Sequence, residues 1–91
     1  MPAEPCRILI VDDHPDTAES LALLCQLDGH ETQSVTRGDE ALEVARDFRP
    51  DILVVDLVLR GSKIDGFELA RLVREDAALG DVSLVASTGL T

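Results

Sequence analysis

Two short stretches, Ile8-Leu9-Ile10-Val11 and Ile52-Leu53-Val54-Val55, are apolar at every position. A strand with one wet face alternates apolar and polar side chains, so an unbroken apolar run signals a strand covered on both faces. Such strands belong to sheets that lie between layers of helices, which restricts the chain to a small set of α/β architectures. Each run also ends abruptly in charge: Asp12 and Asp13 follow the first, and Asp56 follows the second. Carboxylates at the edge of a dry interior are costly unless something compensates them.

Strands are predicted over Arg7 to Val11, Glu31 to Val35, Ile52 to Asp56 and Val82 to Ser87, with a helical pattern in each interval between them. Strands that alternate with helices are the mark of a parallel sheet. Glu31-Thr32-Gln33-Ser34-Val35 is more polar than the two apolar runs and suits an edge, where polarity discourages pairing with other chains. The first helix is predicted from Pro15 to Asp28. Pro15 suits a first helical position, Asp16 and Glu19 complement the positive helix end, and Gly29 supplies a stop. Ala18, Leu21, Ala22, Leu24 and Cys25 recur at helical spacing and are expected to face the sheet. The second helix covers Asp39 to Phe48, with Ala41, Leu42, Ala45 and Phe48 inward and Pro50 beyond its end. The third runs from Gly66 to Asp76 and is expected to bury Phe67, Ala70 and Val73, together with Leu69. Phe48 and Phe67 are the only aromatic residues, so the core is aliphatic. Right-handed crossovers then place the two apolar strands side by side in a single doubly wound α/β domain spanning residues 1–91. In such sheets ligands bind beyond the carboxyl ends of the strands, which is where Asp12, Asp13 and Asp56 fall.

Charge narrows the function classes. Eight basic residues against 18 acidic ones give a net charge of −10, which argues against a nucleic-acid surface on this chain, because phosphate binding relies on Lys and Arg. No apolar run approaches bilayer length and no secretory signal is present, so a cytoplasmic protein is expected. Cys6 and Cys25 read as small packed thiols rather than a disulfide, and no His/Cys spacing suggests zinc.

If the two apolar strands are neighbours, Asp12, Asp13 and Asp56 converge on one small volume. Three like charges there repel unless a cation sits among them, and an all-oxygen ligand set favours a hard divalent ion such as magnesium. Ser87 and Thr88 stand at the carboxyl end of the fourth strand, where a hydroxyl can donate to an anionic ligand beside the metal. Carboxylates, magnesium and a hydroxyl donor suit phosphoryl chemistry, with Asp56 as the nucleophile. A single aspartate would suffice to cap the first helix, so capping explains at most half of the Asp12–Asp13 pair. His14 and His30 read as helix-start and turn residues without a catalytic role.

The segments ILIVDDHPD, RPDILVVDLVL, DGFELARLVRED and VSLVASTGL, in this order, resemble the successive motifs of the receiver domain of two-component response regulators. The resemblance covers essentially the whole chain and implies a flavodoxin-like fold. It implies Asp56 as phosphoacceptor, Asp13 as direct metal ligand, Asp12 as a ligand acting mainly through water, and the Val58 backbone carbonyl as a further ligand of Mg2+. It implies Thr88 as the hydroxyl that follows the phosphoryl group, with Gly89 as the small residue after it. A sensor histidine kinase or phosphotransfer protein is the implied donor, and an effector domain or protein the implied target. Two departures stand out. The family pattern continues with a fourth helix, a fifth strand bearing a lysine, and a fifth helix, so the chain is expected to be a fragment or to borrow cover from another copy. The fourth strand would then be an exposed apolar edge suited to self-association. The interval from Asp56 to Asp65 is also longer than the family commonly shows, and Arg60 replaces a usual proline. Arg60 or Lys63 could partly stand in for the lysine, although solvent exposure is the simpler role for both.

Three functions follow in descending order: a phosphoacceptor signalling module, a receiver-like scaffold that does not switch, and an aspartyl-nucleophile phosphatase or phosphotransferase. The last lacks the expected general acid, since Val58 and Pro15 stand two residues beyond Asp56 and Asp13. An enzyme in the turnover sense is not expected.

Overall fold

The computed structural model describes residues 5–59 and 63–87. In chain order these form β1 (Arg7–Val11), α1 (Pro15–Leu27), β2 (Glu31–Val35), α2 (Gly38–Phe48), β3 (Ile52–Asp56), α3 (Gly66–Glu75), a 3-10 turn (Ala77–Leu79) and β4 (Ser83–Ser87). The strands make one sheet in the order β2-β1-β3-β4, and every pairing is parallel. The two apolar runs are therefore neighbours, with Val11 opposite Val55, and polar β2 takes an edge.

Strand alternation explains why both runs are wholly apolar. Leu9, Val11, Leu53 and Val55 point to one face, where Ala41, Ala45 and Phe48 of α2 and Leu69 and Val73 of α3 close over them. Ile8 and Ile10 point to the other face and meet Ala18 and Ala22 of α1, with Ile52 and Val54 packed beside them. Two cores thus share one sheet, and β1 is buried on both faces from Ile8 to Val11.

The helices stay close to their expected bounds, but two side chains do not. Leu24 faces solvent, because α1 settles on its small residues Ala18 and Ala22, and Leu24 lies roughly 200° around the helix from Ala22. Phe67 is 65% exposed. The buried stripe of α3 runs through Gly66, Leu69 and Val73, and Phe67 is turned roughly 200° from Leu69. Ala70 is half-buried beside that stripe. Val82 is buried but precedes β4: its N–H donates to the Leu79 carbonyl and closes the 3-10 turn.

Candidate functional site

The carboxyl ends of β1 and β3 lie together, and the side chains that follow them meet there. Asp12, Asp13, His14 and Asp56 each offer a ligand atom, and these atoms all fall within 4.8 Å of one another. Asp12 and Asp56 are only 4% and 2% exposed.

Local backbone geometry sets each group. The Asp12 N–H donates to the Val35 carbonyl at 3.1 Å, so Asp12 still belongs to the ladder with β2. Its Oδ1 accepts the His14 N–H at 2.9 Å, a bond from a side chain to the backbone two residues on that turns the chain sharply into α1. The N-cap of that helix is His14, and Pro15 occupies its first turn. The N-cap position therefore belongs to neither aspartate. Asp56 repeats the pattern, with its Oδ1 accepting the Val58 N–H at 3.0 Å. That bond fixes the orientation of the carboxylate and holds the Val58 peptide beside it.

The close approach of α3 completes the support. Asp65 caps α3 by accepting the Glu68 N–H at 2.9 Å, and the Gly66 N–H reaches the Leu57 carbonyl. A Cβ on Gly66 would overlap the Asp56 carbonyl oxygen and come within 2.6 Å of the Leu57 Cα. The Asp65-Gly66 pair thus lets a helix begin directly against the strand end that carries Asp56.

Crowded carboxylates with this little solvent need positive charge nearby. Among the described residues no Lys or Arg pairs with Asp12 or Asp56. The ring of His14 lies against this group, with Nδ1 3.2 Å from Asp12 Oδ1 and 3.0 Å from Asp13 Oδ1. A divalent ion fits this donor set, since hard cations take carboxylate oxygens and neutralise them.

The expected residues are brought together in part. Asp12, Asp13 and Asp56 converge, and Val58 is tied to Asp56 while its side chain faces solvent. Ser87 lies opposite Asp56 across the β3–β4 ladder. Thr88 and Arg60 lie outside the described residues, and Lys63 is exposed. His14 was not expected in the pocket. Its position after an Asp pair and before a proline is the only sequence signal, because a residue preceding proline is held extended.

The receiver domain profile of response regulators matches residues 8–90. The chain belongs to the response regulator receiver domain family. It is 38% identical over 82 residues to the DNA-binding response regulator MtrA of Mycolicibacterium smegmatis, covering 90% of this chain and 35% of that protein. It is 30% identical to the protein PilH of Pseudomonas aeruginosa, again over 90% of this chain and 66% of the relative. The chain therefore spans about a third of the length of the MtrA relative. Among solved structures, the signal receiver domain of a signal transduction histidine kinase from Syntrophus aciditrophicus superposes with a TM-score of 0.83 at 30% identity. That superposition covers 94% of this chain and 64% of the other. The doubly wound, flavodoxin-like fold expected from the strand pattern is the fold of this family.

Proposed function

We propose that this receiver unit is a phosphoacceptor switch, which takes a phosphoryl group onto Asp56 from a sensor histidine kinase or phosphotransfer protein and changes partner binding as a result. The observation that carries this reading is the meeting of Asp12, Asp13 and Asp56 at the ends of two neighbouring strands. In this reading Asp12, Asp13, Asp56 and the Val58 carbonyl hold Mg2+, which when bound neutralises the charge gathered on phosphoryl and carboxylate oxygens. Asp56 is the nucleophile. A carboxylate oxygen bonds to phosphorus while the donor's P–N bond breaks, and the donor imidazole leaves with that electron pair and takes up a proton. The Val58 N–H keeps the Asp56 carboxylate from rotating, so attack starts from one set orientation. Thr88 is assigned as the hydroxyl donor to the transferred group.

A cytoplasmic setting and a downstream effector domain or protein belong to this reading. The Mycolicibacterium relative is described as DNA-binding. With a net charge of −10, this unit is assigned no direct nucleic-acid contact, and any such output is placed in the effector.

Intact mass with Mg2+ and a small acyl phosphate tests the assignment. Wild type should gain one labile phosphoryl group, and Asp56→Asn should gain none. Asparagine keeps an oxygen to accept the Val58 N–H, so the comparison isolates the nucleophile. Incorporation that survives in Asp56→Asn would sink the assignment. Ion binding without phosphoryl gain in the wild type would leave a receiver-like scaffold in its place.

A further inference from the structure

His14 stands where a helix usually places Ser, Thr, Asp or Asn to satisfy its first N–H groups. Its side chain makes no such bond. Pro15 disfavours helical backbone at His14, and the residue is extended, with φ −98° and ψ 105°. In this conformation the ring lies over the preceding pair of aspartates, with Nδ1 3.2 Å from Asp12 Oδ1 and 3.0 Å from Asp13 Oδ1. One ring nitrogen carries at most one hydrogen, so it cannot fully hydrogen-bond two carboxylates at once. A cation can take all three atoms. Neighbouring ligands of an octahedral ion with bonds of about 2.1 Å are about 3.0 Å apart, and both His14 separations have that spacing.

We propose that His14 Nδ1 is a ligand of the ion in this pocket, and that it shifts the site's preference from magnesium towards first-row transition ions. The proposal rests on the acidic pocket binding a divalent ion, as in the reading above. The chemistry of selection is simple. Magnesium prefers oxygen donors and holds its waters, whereas imidazole nitrogen binds progressively better along the series from manganese to nickel. Adding one nitrogen to three carboxylates therefore raises transition-ion affinity and leaves magnesium affinity nearly unchanged.

The test is calorimetric titration of the full chain with Ni2+ and, separately, Mg2+, at about pH 8, where an ordinary imidazole is neutral. Wild type is compared with His14→Phe, His14→Gln and Asp56→Asn, with His30→Phe as a control for nickel held elsewhere. Loss of the imidazole nitrogen should weaken Ni2+ by at least about tenfold and change Mg2+ by less than about threefold. Asp56→Asn should weaken both ions, which locates them in the pocket. An unchanged Ni2+-to-Mg2+ ratio in both His14 variants overturns the proposal. So does tighter Mg2+ binding in His14→Phe, since that describes a ring that competes with the ion rather than ligating it. If wild type binds neither ion, the reading of the pocket as a metal site fails first.

Discussion

No side chain fits at position 66, and the reason lies in the site itself. A Cβ there collides with the Asp56 carbonyl and the Leu57 backbone, neither of which is free to swing away. Gly66→Ala is expected to cost about 1–3 kcal/mol, the usual penalty for forced overpacking, and to weaken ion binding by displacing Asp56. Chemical denaturation and a Mg2+ titration check both, and an alanine variant of wild-type stability would refute the clash. Asp76 offers a pH-dependent contrast away from the pocket. Its carboxyl is held below the ordinary range, chiefly by the hydrogen bond from Arg46 at 2.8 Å and then by the Ala78 N–H. A carboxyl with a lowered folded pKa contributes stability that is complete above its unfolded pKa and fades as pH falls through the folded one. The melting-temperature gap between wild type and Asp76→Asn should therefore be widest near neutral pH and should close in acid. A gap that persists unchanged in strong acid contradicts this. At this scale Asp12, Asp13 and Asp56 were legible in the sequence because charge directly after a fully apolar strand is physically anomalous. The placement of the His14 ring was not, since it depends on which way a ring turns, and spacing along the chain carries no record of that.

The elements were legible to within a residue or two, because turn chemistry and apolar period are local properties. Helix phase was harder to read. Around α1 apolar residues occupy several sides, including Leu21, Leu23, Leu24 and Leu27, so no single stripe announces the buried face. The sheet chose the side bearing Ala18 and Ala22, where small residues let the helix lie close. In α3 the glycine contact with β3 fixed the rotation and turned Phe67 outward. Volume is thus a poor guide here to what holds the elements together. Leu53→Ala, at a site 1% exposed in β3, should cost about 2–5 kcal/mol. Phe67→Ala removes a larger side chain and should change stability by no more than about 0.5 kcal/mol. Denaturant midpoints of the two variants decide the matter, and the opposite ranking would show that α3 packs through its other face.

For the whole molecule, the two faces of the sheet are covered unequally. On the side of α2 and α3 the core reaches from β1 to Leu84 of β4. On the other side α1 packs over β1 and β2, and Val85, which pairs with Val54, remains 48% exposed. An edge strand with exposed apolar side chains invites pairing with a second copy. Sedimentation velocity over a range of concentrations should show self-association that Val85→Lys abolishes, and a wild type that stays monomeric throughout would count against it. No helix among the described residues is long and apolar enough to cross a membrane. The sheet order has a deeper consequence. Asp12 and Asp56 are 44 positions apart in sequence and adjacent only because β1 and β3 pair side by side. A partly folded chain with β1 or β3 detached possesses no pocket at all. Whatever occupies the assembled pocket therefore acts as a removable cross-link over a long loop, favouring the intact molecule over every partly unzipped one by mass action.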